Sequence, residues 1–397
     1  MPSNSFSALN PEFWSKRMQI KRFETPVYSV IGNMEERALL SKGDTVHRPY
    51  RSNLVVNDYT RDTAVTIQSL SATDENLVVD TAKIIPFYID DLDKIQNGYD
   101  TAMEFADDAG EKLENTIDAE FLAQYDNAGS TVDDGDIGGT DGNAIELTTS
   151  NVVSTMVQAR RKLKANNVSL TRKPLFAVVG PQFMATILEA IEGKMTQLGD
   201  NTGVNGHLGK YMGFDIYESN NLTFTAKWTP ADNPSNGGTI SINGVTFTFV
   251  SSIGSTAGNV LIGGSTAATL DNLVALINDP STTTANGVAF TGDSLAYVLN
   301  NLSATDNTTN ITIESIGTSE ITVATSVTAD AWSEETTHNL FGQNGAIDIV
   351  VQENPNVEFK DVPDKLGKNV LPWTLFGLKT FAEGALALVD VQTNPNA

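Results

Sequence analysis

The chain contains no cysteine. That excludes a disulfide framework and any thiolate nucleophile. Histidine is nearly absent too. His47, His207 and His338 lie in three separate segments with no H-E-x-x-H or similar ligand spacing, so they read as polar loop residues. No run approaches 18 apolar residues, so no segment reads as a membrane span. The opening MPSNSFSALNPEFW has no basic region followed by an apolar stretch and is not a secretory signal. No G-x-S-x-G elbow appears, and no G-x-G-x-x-G follows a strand. Paired carboxylates occur at Asp107-Asp108 and Asp133-Asp134, but nothing in the sequence sets them across a cleft. The chain is therefore read as neither an enzyme nor a cofactor protein. Basic residues are missing from one long stretch: between Lys227 and Lys360 there is no Lys or Arg, a break in composition.

What is present is organised around one long stretch, 89–125. Leu92, Ile95, Tyr99, Ala102, Ala106, Ala109, Leu113, Ile117 and Phe121 recur at steps of three and four, the period of a helix face. About 37 residues at 1.5 Å each predict a rod of roughly 55 Å. Its other face is acidic. Between Asp90 and Glu146 there are 17 acidic residues and two basic ones, Lys94 and Lys112, in a chain of net charge −24. Such a rod needs an extended neighbour to lie on.

The rest falls into order around it. Residues 1–43 carry scattered apolar residues and the cations Lys16, Arg17, Lys21 and Arg22, and read as an arm. Residues 44–86 alternate and are β-branched, predicting a long protruding hairpin. A hairpin of this kind has too little apolar area to stand alone. Residues 87–147 hold the helix and then an Asp/Gly loop. That loop lacks the D-x-D-x-D-G-x5-E register of a calcium site, so it reads as a loop rather than a metal site. Residues 148–225 read as an α/β domain: a helix over 148–168, then LFAVVGPQFMATILEAI as strand, turn and helix with Pro181 first. The glycines of 199–213 mark a mobile loop. Residues 226–338 are rich in Thr, Ser, Asn and Gly and read as an inserted α+β domain. It has a hairpin turning at Asn243-Gly244, helices over 266–279 and 294–302, and a strand pair turning near Gly317. Residues 339–397 return to strands that need partners from before the insertion.

This order resembles the major capsid proteins of tailed bacteriophages, the Hong Kong 97-type fold. KPLFAVVGPQFMATIL (173–188) is similar to the family's axial-domain strand, turn and helix. YMGFDIYESNNL (211–222) is similar to its glycine-led strand, LFGQNGAIDIVVQ (340–352) to the strand leading to the peripheral domain, and GLKTFAEGALALVDV (377–391) to the closing strand. The resemblance covers about 1–225 and 339–397. It implies an α+β fold with an arm, an extended β-hairpin loop, a spine helix, peripheral and axial domains, and here an inserted domain.

It further implies a structural protein that self-assembles into hexamers and pentamers of an icosahedral shell around double-stranded DNA. The expected setting is the virion, with assembly in the host cytoplasm. The expected partners are its own copies, portal and scaffolding proteins, decoration proteins and the packaged DNA, with no membrane. Lys16, Arg17, Lys21 and Arg22 are candidate inter-subunit or DNA contacts. Asp107, Asp108, Glu111 and Glu114 form a candidate acidic assembly face. The hairpin between Asn53 and Thr81 has no lysine, so a shell without covalent cross-links is expected, as is a chain without a cleaved scaffolding segment. Two rivals stand beside this reading: an encapsulin-like compartment around protein cargo, and a surface adhesin or tail protein prompted by the Thr/Ser/Gly-rich insertion.

Overall fold

The computed structural model describes residues 22, 24–38, 43–51, 54–96, 101–192, 209–327, 331–363 and 365–395. The expected mobile loop falls largely outside these, as do His207, Lys16, Arg17 and Lys21. The chain forms two compact units: residues 1–23, 81–114 and 353–375 in the first, and 24–80, 115–352 and 376–397 in the second.

In the first unit a 4-stranded sheet places Gly367–Lys379 beside Asp348–Asp361 and Thr81–Ile84, with Phe87–Asp90 antiparallel to Gly367–Lys379. The spine follows as helices Asp91–Gln96 and Thr101–Leu122, of which residues up to 114 belong to this unit, and a short 3-10 turn, Ala123–Asn127, in the second; residues 97–100 lie outside the described set. Ala106, Ala109 and Leu113 are buried, as the 3-4 spacing predicts, whereas Leu92 and Ile95, placed on the same face by that spacing, are exposed. Phe87 and Phe105 meet edge to face at 6.2 Å. Gly367, the first residue of its strand, sits at φ +141, where a Cβ would fall 2.4 Å from the Ile89 carbonyl oxygen, so the position requires glycine.

The second unit is built on a 10-stranded sheet. Its main path runs Leu302–Asp306, Ile311–Ser315, Thr223–Thr229, Ala331–Gln343, Leu175–Val179, Phe214–Glu218, Lys210–Tyr211, with Leu388–Asn394 also on Ala331–Gln343. Leu175–Val179 and Phe214–Glu218 are parallel. Helix Pro181–Glu192 follows the first of them, with Pro181 at the first helical position, where its missing N–H costs nothing. Leu175–Val179 is buried at every position, as a strand covered on both faces must be. Helices Val152–Ala165 and Pro181–Glu192 pack on this sheet through Met156, Ala159, Leu163, Phe183 and Ile187. The C-terminal strand runs parallel to Ser130–Val132 and Ile145–Glu146, tying the chain's end to the loop after the spine. GLKTFAEGALALVDV is not one closing strand: a helix, Ala382–Leu386, divides it.

Residues 226–338 have their own core, with Trp228, Phe247, Phe249, Leu270, Leu273 and Ile313 fully buried. Asn243 (φ 47) and Gly244 (φ 81) make the expected turn between Thr239–Ile242 and Val245–Val250; both left-handed dihedrals match a type I′ hairpin. The helices are Thr266–Asn278 and Gly292–Asn301. Two features depart from the sequence reading. The region is not set apart from the main sheet, because Thr223–Thr229 and Ala331–Gln343 cross its expected boundaries while paired to each other. The strands beside Gly317 do not pair with each other either. Ile311–Ser315 joins the large sheet, while Val323–Thr325 pairs with Thr239–Ile242 in a separate 4-stranded sheet. Alternation marked both as strands but carried no information on which edge each would join.

Candidate assembly surfaces

The hairpin has a root fixed to the second unit and a tip that is not buried. Thr45–Arg51 and Ala72–Val78 pair antiparallel, from Thr45 opposite Val78 to Arg51 opposite Ala72. Residues 54–71 between them form no ladder, although alternation extended the expected strands through them. At the root, the Arg48 guanidinium donates to both Asp348 oxygens (2.9 and 3.1 Å) and to Glu36. It also lies 4.3 Å over the Phe381 ring. Burial works against its charge, but Asp348 and Glu36 outweigh it and raise the Arg48 pKa. Asp348 is buried and also accepts from Asn33 Nδ2 at 2.7 Å. Bidentate, charge-assisted geometry of this kind is among the stronger polar contacts. Tyr50 donates to Glu383 at 3.3 Å, and the Ala382 N–H donates to Glu75 at 3.2 Å.

The tip is different in kind. Leu54, Val56, Tyr59, Ile67 and Leu70 are exposed, Val56 at 94% and Ile67 at 91%. Scattered exposed apolar residues are ordinary, but a concentration on one extended segment marks an interaction surface.

On the spine helix, Asp107, Glu111 and Glu114 are exposed and Asp108 is half-buried, which places the predicted acidic face in solvent. One carboxylate of that helix differs. Asp118 is fully buried, and its Oδ1 accepts the Val27 and Tyr28 backbone N–H groups at 2.7 and 2.9 Å. Its Oδ2 accepts Asn221 Nδ2 at 2.9 Å. Burial pushes its pKa up, and these three donors pull it partly back. Asp118 thereby holds the chain leaving the arm onto the spine, beside Val27, Ile31, Ile117 and Phe121 in one apolar cluster. Of Lys16, Arg17, Lys21 and Arg22, only Arg22 lies among the described residues, and it is exposed.

His338 is not a polar loop residue. It is buried in the central strand Ala331–Gln343, 2.9 Å from Asp390 Oδ2 and 3.0 Å from Thr225 Oγ1, with the Tyr125 ring stacked on it at 3.9 Å. Tyr125 in turn donates to Glu314 at 3.1 Å; burial and then Glu314 hold its phenol far above the ordinary range. The Thr225–His338–Asp390 alignment resembles a nucleophile relay, but Thr225 sits mid-strand between ladder partners Glu314 and Thr336. Backbone N–H groups committed to ladders cannot serve as an oxyanion hole. The alignment is how a buried imidazole is satisfied. His47 is exposed, 2.6 Å from Asp74.

The Asp/Gly loop spends its carboxylates internally. Asp133 accepts the Gly142 N–H, Asp134 the Thr140 N–H, and Asp136 pairs with Arg161 and Lys162. Among the described residues no group of three or more acidic or imidazole side chains could hold a metal ion, and no helix is long and apolar enough to cross a membrane. Sequence reasoning missed Asp118 and Arg48. The available signals were faint: an acid directly after buried Ile117, and an arginine inside an alternating strand.

Comparison with known proteins places this geometry. Residues 74–260 match the family model described as phage capsid protein. No curated protein sequence matches. A solved structure from Mycobacterium phage Che8 superposes with TM-score 0.59 at 15% identity, covering 97% of this chain and 98% of the other. The capsid of Ralstonia phage GP4 gives 0.53 at 10%, covering 98% and 96%. The capsid of Cyanophage P-SCSP1u gives 0.52 at 11%, covering 98% and 94%. Family pattern and backbone path thus agree with the resemblance drawn from the sequence: residues 74–260 match a phage capsid protein pattern, and the chain has the α+β fold of phage capsid structures, consistent with a tailed-phage major capsid protein.

Proposed function

We propose that this chain assembles into hexamers and pentamers of an icosahedral shell enclosing double-stranded DNA. The observation that carries the reading is the hairpin tip. Its apolar side chains, Val56 and Ile67 above all, stand in solvent on a segment whose root is held by Arg48. Removing apolar surface from water is worth about 25 cal/mol per Å², and another copy of the chain is the surface that gains it. Obligate interfaces of this kind bury roughly 2,000–5,000 Å². The arm cations Lys16, Arg17, Lys21 and Arg22 and the acidic face Asp107, Asp108, Glu111 and Glu114 are further surfaces offered to neighbouring copies. Portal, scaffolding and decoration proteins are the remaining partners, and assembly takes place in the host cytoplasm. The role is structural, without catalysis.

The test is expression of the full chain, alone and with the neighbouring genes, followed by electron microscopy and nuclease digestion. Closed shells with nuclease-protected DNA are expected from the co-expressed material. Shells filled with protein and free of DNA would identify a cargo compartment instead, and fibres or persistent monomers would defeat both.

A further inference from the structure

Six of the chain's 25 basic residues fall within 160–173: Arg160, Arg161, Lys162, Lys164, Arg172 and Lys173. Four of these sit on the last turns of helix Val152–Ala165, where the helix dipole favours cations. The helix turns Val152, Met156, Ala159 and Leu163 into the core. Arg161 and Lys164 lie on its opposite, exposed face, next to Val157, itself 47% exposed. With Arg160, Ala165 and Leu170 they line a shallow groove. Local partners use only part of this charge. Lys162 contacts Asp136, Arg161 reaches the same carboxylate at 3.3 Å, and Arg160 donates to the Met212 carbonyl.

The spine helix carries a surface that fits. Asp107, Glu111 and Glu114 climb one exposed face a turn at a time, and exposed Met103 stands at its N-terminal end. None of Asp107, Asp108, Glu111 and Glu114 makes an ion pair with a described residue. The apolar members of the groove choose between partners of like charge. A phosphate backbone offers nothing to Val157, Ala165 and Leu170, whereas a helix with Met103 beside its carboxylates does.

We propose that the basic groove of helix Val152–Ala165 receives the acidic spine face of a second copy. The inference rests on self-assembly as read above. It makes the contact heterologous, each copy giving one surface and receiving on the other, and such contacts close into rings when the rotation permits. Charge pairing across it sets register and partner choice more than raw affinity.

The test uses the full chain and three variants: Arg161→Glu with Lys164→Glu, Asp107→Lys with Glu111→Lys, and all four together. Circular dichroism and thermal melting confirm that each is folded, and shell yield is read by sedimentation and electron microscopy at low and high salt. Each reversal should lower low-salt yield about tenfold or more, since like charges then face each other. The four-fold exchange should recover most of it. Three results would overturn the inference: folded reversals that assemble like the unaltered chain; an exchange that recovers nothing; or recovery when the acidic reversal is combined with acidic residues at Lys16, Arg17, Lys21 and Arg22. Shells of the Arg161/Lys164 variant that form normally but lose DNA would reassign the groove to nucleic acid. If the unaltered chain forms no shells, the self-assembly reading fails, and this inference with it.

Discussion

Glu111 and Asp118 stand seven residues apart, two turns along the same helix and on nearly the same face. One is exposed, and the other is buried with three N–H donors on its carboxylate. A single acidic stripe thus divides into a solvated part and a part the chain closes over itself. The face by itself decides neither role; what arrives over it does. Val27, Tyr28 and Asn221 arrive over Asp118, and no described residue pairs with Glu111.

Four experiments sharpen or break this contrast. The largest effect is expected from Asp118→Ala, which leaves two backbone N–H groups without an acceptor and the Asn221 amide with Asn115 as its remaining one. At about 1–3 kcal/mol per stranded group, partly relieved by water, a loss of about 3 kcal/mol is expected in urea unfolding. Arg48→Ala strips the buried Asp348 of its partner, at a cost of about 2 kcal/mol by the same measurement; a change within error would mean that Asn33 alone satisfies Asp348.

The third experiment is a pH profile of the unaltered chain against Asp118→Asn. Burial raises the Asp118 pKa above its unfolded value near 3.9. The stability linked to its titration is therefore fully present below that unfolded value and is lost as pH rises through the folded one. The stability difference between the two proteins should shift against the unaltered chain over that interval and stay flat above it. A flat difference throughout would break the assignment. The smallest effect is expected from neutralising Asp107, Asp108, Glu111 and Glu114 together. Monomer stability should move by no more than about 0.5 kcal/mol, while assembly at low salt weakens. A large loss of monomer stability would show that this stretch, too, is closed over within the chain.

The same contrast marks what the sequence could tell. The 3-4 spacing located the spine and its buried face down to Ala106, Ala109, Leu113 and Ile117, because burial of one helix face is written in periodicity. The Asn243-Gly244 turn and the Pro181 helix start were legible because their dihedrals admit few residue types. Edge partnership was not legible. Val323–Thr325 and Ile311–Ser315 look alike as strings yet belong to different sheets, and the expected boundary at 226 fell within a strand. Buried polar positions were also hidden. Asp118 reads like the other acids around it, and His338 like any histidine in a Thr-rich stretch, since the partners that bury them lie far away in the chain. Of the candidate surface residues, the acidic face and Arg22 stand in solvent, and the other arm cations lie outside the described residues.

The pairing of Leu388–Asn394 with Ser130–Val132 has a consequence in time. Val389 lies opposite Ser130, so the strand that closes the sheet leaves the ribosome long after its partner. At about 5–20 residues per second, that is on the order of 10–50 s after its partner. Until then the central strand Ala331–Gln343, itself late, lacks one neighbour, and the nascent chain presents an open sheet edge. Synthesis order thus sets the order in which this sheet can close: the ladder around Ala331–Gln343 is completed only once Leu388–Asn394 has emerged.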